Sequence, residues 1–309
     1  MKIYHGFDEY ERARNPVVTV GTFDGVHLGH RKIFEYMTKL AHSCNGQTVV
    51  ITFDPHPRLV LHADSRDLKF INTRERKYEL IAAYGIDQLM VIPFTREFAG
   101  TGAEQFVENI LVEKIGLSKL VVGYDHHFGR NREGSYDALL KMAGVMGFEL
   151  ERVPARDINQ VAVSSTKIRN ALNEGRIRLA NELLGYEYSI TGKVIPGNKI
   201  GRGLGFPTAN IRLDDVYKLI TAVGVYACRI KYRNRLFSGM GNIGYRPTVN
   251  HGDLTIEVHI FNFNEEIYDE TLTIFFVDRI RDEIKFDSLE DLRDQLVKDR
   301  ETVCRILGC

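Results

Sequence analysis

Apolar residues recur along the first half of the chain in two alternating rhythms. Short β-branched runs at Pro16–Val20, Thr48–Phe53, Leu89–Pro93, Leu120–Gly123 and Phe148–Val153 have the length and composition of interior strands. Between them, apolar residues spaced by three and four mark helices. Ile33, Phe34, Met37, Leu40 and Ala41 predict one from Arg31 to about His42, and Leu80, Ile81 and Tyr84 another, opened by Thr73 and Glu75 and ended by Gly85. A capping box from Thr101 to Glu104 is expected to open a third, carrying Phe106, Val107, Ile110, Leu111 and Ile115 and stopped by Gly116; a fourth runs from about Ser135 to Gly147. Alternation of this kind predicts a Rossmann-like, doubly wound α/β domain whose parallel sheet is covered on both faces and binds ligands beyond the carboxyl ends of its strands.

After a short helix from Arg176 to Gly185 the rhythm changes. Tyr188–Ile195, Gly224–Tyr232, Leu236–Gly241, Leu254–Phe261 and Thr271–Val277 read as strands with no helix between them, which predicts a small antiparallel β-barrel. A C-terminal helix capped by Ser288 carries Leu289, Leu292, Leu296, Val303 and Leu307 as an apolar face suited to packing on that barrel. The boundary falls near Leu184–Glu187, giving domains 1–185 and 186–309.

Composition narrows the partners. Lys plus Arg and Asp plus Glu are 41 each, so no net field recruits nucleic acid or an anionic membrane, and any anion must be bound locally. No apolar run reaches membrane-spanning length and Met1–Gly6 lacks a signal-peptide core, which predicts a cytoplasmic protein, a monomer or weak homo-oligomer. Cys44, Cys228, Cys304 and Cys309 are scattered without zinc-like spacing, as expected of thiols in a reducing compartment.

Three loops fall at carboxyl ends of the first-half strands. Gly21–His30 joins the first strand to its helix, where unpaired N–H groups and the helix dipole favour an anion. Gly21, Gly25 and Gly29 allow close approach of a ligand, and His27 and His30 can supply donors to phosphate; a histidine pair at this spacing could also hold a metal. Asp54–Arg58, with two prolines, reads as a stiff loop after the second strand, and Gly123–Arg130 follows the fourth. Ser164, Ser165 and Thr166 open a further helix, with Arg169 one turn in as a planar cation suited to phosphate.

In the second half, the glycines of Gly197–Gly205 with Lys199 and Arg202 suit a mobile loop that wraps phosphates, or a plain flexible hairpin. Thr208 and Asn210 add hard oxygen ligands of the kind magnesium accepts beside nucleotide phosphates. Alternation along Leu254–Phe261 places Thr255, Glu257, His259 and Phe261 on one face, making Glu257 a candidate general base for a hydroxyl nucleophile.

Gly-Thr-Phe-Asp-Gly-Val-His-Leu-Gly-His over Gly21–His30 resembles the signature of the nucleotidyltransferase superfamily, in particular its flavin adenylyltransferase branch. Ser164–Arg169 is similar to that family's Ser-Ser-Thr-x-x-Arg loop, which closes over the triphosphate. Asp54–Pro57 and Gly123–Gly129 match its two remaining motif regions, around flavin and adenosine, although His126-His127-Phe128 stands where many relatives carry Phe-x-Phe. Pro207–Asn210, Asn242–Thr248 and Glu257–Phe261 look like the riboflavin kinase domain, so the whole chain resembles the bacterial bifunctional riboflavin kinase and FMN adenylyltransferase family, the FAD synthetases.

The resemblance implies two ATP-dependent, magnesium-assisted reactions, riboflavin to FMN and then FMN to FAD with release of pyrophosphate. It implies catalytic roles for Glu257 in the first, and for His27, His30 and Arg169 in the second. ATP contacts are implied at Gly21, Phe23, Asp24, Gly25, Gly29, Asp125, Ser165 and Thr166, and at Gly201, Arg202, Gly203 and Gly205 in the kinase. Flavin contacts fall on Phe53, Pro55, His56, Phe128 and Asn242, and magnesium ligands on Thr208 and Asn210. The alternatives are a nucleotidyltransferase for another phosphorylated acceptor, a non-catalytic flavin-binding regulator, or an RNA-binding module.

Overall fold

The structure, a computed structural model, describes residues 1–61, 68–123, 135–153, 163–197, 200–245 and 254–309. By their contacts they divide into two units, Met1–Ser164 and Ser165–Cys309.

In the first unit, β1 (Lys2–His5), β2 (Val17–Val20), β3 (Thr48–Asp54), β4 (Gln88–Pro93), β5 (Lys119–Val122) and β6 (Glu149–Arg152) form a six-stranded sheet in the order β1-β4-β3-β2-β5-β6. All of its pairs are parallel. β2 is buried at every position, as an interior strand with helices on both sides must be. The edge strand β1 was not expected: four residues at a terminus carry too little pattern to announce a strand. Helices α1 (Leu28–Ser43), α2 (Pro57–Leu61), α3 (Arg74–Ala83), α4 (Ala103–Gln105, continued as a π-helical segment Phe106–Ile115) and α5 (Tyr136–Met146) connect the strands. Phe34, Met37 and Ala41 are the buried face of α1, and Leu80 and Ile81 that of α3, matching the predicted periodicity.

Two local expectations are corrected. The prolines after β3 do not exclude a helix: Pro57 is the first residue of α2, a position whose N–H would have no helical partner in any case. Thr101 does not cap α4, because the helix starts one residue later with Gly102 as N-cap, and Thr101 instead closes a tight turn over Phe98–Gly100. Thr73 and Ser135 do cap α3 and α5 by accepting from Arg76 N and Ala138 N.

The strand order reverses beside β2. β2 pairs with β3 along Val17–Val20 but with β5 only at Val17 and Val18, and beyond those residues the Thr19 hydroxyl bridges to the Val121 carbonyl at 2.9 Å. The sheet therefore opens at the carboxyl end of β2, the switch point at which doubly wound sheets take ligands.

In the second unit, α6 (Ser165–Asn173) and α7 (Ile177–Leu184) precede a closed barrel of β7 (Ser189–Ile195), β8 (Ala209–Arg212), β9 (Gly224–Tyr232), β10 (Arg235–Tyr245), β11 (Leu254–Ile260) and β12 (Thr271–Arg281). β8 and the one-turn helix α8 (Ile200–Gly203) were not expected, and β10 and β12 run four residues beyond their predicted ends. Asn181, in α7, ties that helix to the barrel through the Phe276 carbonyl at 2.8 Å and Tyr188 N at 2.7 Å.

The final helix α9 (Leu289–Leu307) is capped by Ser288 and lays Val303, Leu296 and Leu307 against Phe206, Ala227, Met240 and Phe261. Leu289 is 63% exposed and does not join this face. Asp299, 3% exposed, accepts from Arg281 of β12 at 2.7 and 3.0 Å and from Gln295 at 2.8 Å. Replacing one partner of a buried pair strands the other charge, so Asp299→Ala should destabilise the second unit by about 3 kcal/mol. Denaturant unfolding should show the barrel transition moving to lower denaturant while the first unit's transition stays in place.

Candidate functional site

The loop Gly21–Gly29 turns by left-handed backbone at Phe23 (φ 48°), Gly25 (φ 87°) and Val26 (φ 37°). Gly21 is required by close packing, since a Cβ there would stand 2.9 Å from the Phe23 ring. Phe23 is buried against His30 and Phe34, with ring centroids 5.1 and 5.2 Å away. Asp24, also buried, accepts from Ile71 N at 3.0 Å and Asn72 N at 3.4 Å, which fastens the loop to the segment ahead of α3.

His27 is the N-cap of α1, and its Nδ1 accepts from His30 N at 3.4 Å. The two imidazoles stack with centroids 3.7 Å apart and 14° between planes. Lone pairs of stacked rings lie in parallel planes and do not converge on one point, so this geometry favours side-by-side contacts to an extended anion over shared metal ligation. His30 Nδ1 is buried without a hydrogen-bond partner. Burial, and then the proximity of His27, hold the His30 imidazolium well below the usual range, so the ring is neutral until an anion arrives.

At the carboxyl ends of β3 and β4 lies an aromatic group. Phe53 meets Phe94 at 5.5 Å and Phe98 at 5.9 Å, and His56 lies 4.6 Å from Phe70. Pro55 follows a cis peptide bond from Asp54, whose carboxylate accepts from Arg74 at 3.2 Å. Lys77, one turn into α3, donates to Thr22 O at 3.5 Å and Thr52 Oγ1 at 3.2 Å. Burial pushes its ammonium down, against the pull of Asp24 and Asp54.

The second constellation is set by strand register. Glu257 is paired with Asn210 of β8 on one side and Asn242 of β10 on the other, so the three side chains share one face. The Thr208 hydroxyl donates to Glu257 Oε2 at 3.0 Å. His259, two residues along the same face and buried, bonds the Pro207 carbonyl through Nδ1 at 2.8 Å and so fixes the residue ahead of Thr208. Gly197 packs directly on Asn210, where a Cβ would stand 2.0 Å from its amide nitrogen. The glycine segment closes on itself through Phe206 N to Gly201 O at 2.8 Å, and Gly203 and Gly205 have open space around them. Arg202 is ion-paired with Glu266 at 3.5 Å.

The structure thus brings Gly21, Phe23, Asp24, Gly25, His27, Gly29 and His30 into one loop and the first turn of α1, and Thr208, Asn210, Asn242 and Glu257 onto one barrel face. Ser165, Thr166 and Arg169 lie on α6, the helix that opens the second unit. Asp125, His126, Phe128, Lys199 and Arg246–Thr248 lie outside the described residues. Lys77, Phe70 and His259 were not singled out by sequence; for His259 the signal was its two-residue spacing from Glu257.

Two family models match the chain, FAD synthetase over residues 9–167 and riboflavin kinase over 184–307. The bifunctional riboflavin kinase/FMN adenylyltransferase of Listeria monocytogenes is 40% identical over 288 residues, 93% of this chain and 91% of that protein. That of Escherichia coli is 32% identical over 311 residues, 100% of this chain and 98% of that protein. A crystal structure from Streptococcus pneumoniae, named a macrolide-efflux protein, superposes with a TM-score of 0.89 at 31% identity, covering 98% of this chain and 99% of that one. Among the described residues no helix is long and apolar enough to cross a membrane.

A neutral, buried His30 has a folded-state pKa below its unfolded value of about 6.5, so the unfolded chain takes up its proton first as pH falls. The stability this group allows above that pH is lost on acidification. The denaturant midpoint of the first unit should drop between about pH 7.5 and 5.5, and by less in His30→Gln; an equal drop in both proteins would contradict the assignment.

Proposed function

The chain belongs to the bifunctional riboflavin kinase/FMN adenylyltransferase family, an enzyme that makes FMN from riboflavin and FAD from FMN, and from that premise we propose how its residues divide the two reactions. The observation that carries the reading is the Asn210–Glu257–Asn242 row with Thr208 bonded to Glu257, set on a different unit from the stacked His27–His30 pair.

On the barrel, Glu257 accepts the proton of the riboflavin 5′-hydroxyl as that oxygen attacks the γ-phosphate of ATP. Phosphoryl transfer needs little covalent help from protein, so alignment and charge neutralisation dominate. The residues fit a magnesium ion: Thr208 spends its proton on Glu257, which leaves oxygen lone pairs for a hard cation, and Asn210 sits beside it with an amide oxygen. Bound there with the nucleotide, magnesium would neutralise phosphate charge. His259 keeps Pro207, and with it Thr208, in register with Glu257. Gly201, Arg202, Gly203 and Gly205 cover the triphosphate, and Asn242 meets the flavin.

On the sheet unit, the FMN phosphate attacks the α-phosphate of a second ATP. The nucleophile is already an anion and needs no strong base. His27 and His30, with Gly21, Phe23, Asp24, Gly25 and Gly29 shaping the loop, stabilise charge that builds on the α-phosphate and the leaving pyrophosphate. Arg169, Ser165 and Thr166 are assigned to ATP phosphates and Asp125 to the nucleoside, while Phe53, Pro55, His56 and Phe128 receive the isoalloxazine ring. On this reading the functional boundary stays at 185/186, in keeping with a riboflavin kinase match that begins at residue 184.

Chromatography of flavins after incubation with riboflavin, ATP and magnesium tests the division. His30→Ala should lower FAD formation by roughly a hundredfold and leave FMN formation intact. Glu257→Ala should abolish FMN formation while supplied FMN is still converted to FAD. Equal loss of both activities in a folded variant would overturn the two-site assignment.

A further inference from the structure

The phosphate loop is clasped at two points, by the segment ahead of α3 and by α3 itself. Asp24 binds the backbone N–H groups of Ile71 and Asn72, and one turn further on the Lys77 ammonium takes the Thr22 carbonyl at 3.5 Å and the Thr52 hydroxyl at 3.2 Å. The Thr52 hydroxyl itself donates to Thr22 O at 3.4 Å, so carbonyl, hydroxyl and ammonium form a closed triangle where β2 and β3 leave the sheet.

A lysine is a costly choice for this place. It stands in the first part of α3, where the helix dipole opposes a cation, and it is half-buried, where a methionine would fill similar space without desolvation. What the ammonium offers in return is charge. The carboxylates of Asp24 and Asp54 flank a loop that must receive a polyphosphate; the Lys77 ammonium interacts with both, and Arg74 bonds Asp54 at 3.2 Å. Removing the Lys77 ammonium takes one positive charge away from these carboxylates, beside the incoming anion.

We propose that Lys77 is a positioning residue for adenylyl transfer, which pins Thr22 to Thr52 and balances the carboxylates beneath the phosphate loop so that its N–H groups and the His27–His30 pair meet the nucleotide. The proposal rests on placing adenylyl transfer at that loop.

Lys77→Met, Lys77→Arg, Thr52→Val and the Lys77→Met/Thr52→Val double variant would be assayed for FMN adenylylation with ATP varied, at about 0.05 and 0.5 M salt, with riboflavin kinase activity measured on the same samples. Lys77→Met should raise the KM for ATP by roughly tenfold or more with a smaller fall in kcat, and leave kinase activity intact. The defect should shrink at high salt, because an unbalanced charge is screened and a packing defect is not. Lys77→Arg should recover most of the loss, and Thr52→Val should add little to Lys77→Met.

A Lys77→Met enzyme within twofold of wild type, or a loss that salt and arginine leave unchanged, overturns the proposal. Should Lys77→Met fail to fold, a kinetically silent Thr52→Val does the same. His30→Ala run in parallel keeps the two readings apart: if it spares FAD formation, the loop assignment is wrong, whereas its loss beside an active Lys77→Met removes the lysine proposal alone.

Discussion

The first turn of an α-helix carries N–H groups that no carbonyl of its own helix can reach, and much of the sheet unit is arranged around leaving that turn at the right place. α1 starts within a few residues of a strand buried at every position, beside the point where the strand order reverses. Gly21 and Gly25 make the connection short. His27 then satisfies one N–H through its ring, and that single bond also draws His30 into the stack. Cap and stack are one arrangement.

The barrel reaches phosphate chemistry by a different route. Its site depends on cross-strand register, which seats Asn210, Glu257 and Asn242 side by side, and a one-residue slip of β11 would turn Glu257 to the opposite face. Closure of the sheet and the α9 cover hold that register. In both units burial lowers an imidazole, His259 as well as His30, and in each a ring is tied to a backbone group: His259 to the Pro207 carbonyl, and His27, stacked on His30, to the His30 N–H.

The alternation of strands and helices, the barrel and the capped C-terminal helix were legible because period and breaker residues agreed over long stretches. β1 and β8 were not, for a shared reason: four residues give too few alternations, and β8 was masked by the proline and glycine before it. The Thr101 cap missed by one residue, since a capping pattern does not say which neighbouring residue leaves helical backbone first. His27, His30, Thr208 and Glu257 were singled out from spacing and resemblance, and the structure stacks the first two and hydrogen-bonds the last two. Lys77 was invisible because a lysine on a helix is ordinarily a solvated residue, and only the strand ends it reaches distinguish it.

The packing of α6 on α7, and of α7 on the barrel, has an evolutionary consequence. Chain contacts part at Ser164/Ser165, yet Ser165, Thr166 and Arg169 follow that point. If those residues serve adenylyl transfer, a gene split where the contacts are fewest would hand one enzyme's phosphate clamp to the other. Fission into two monofunctional proteins would have to fall after Leu184, and the barrel would then be born with the face once covered by α7 open to water. A fused gene spares both halves that exposure.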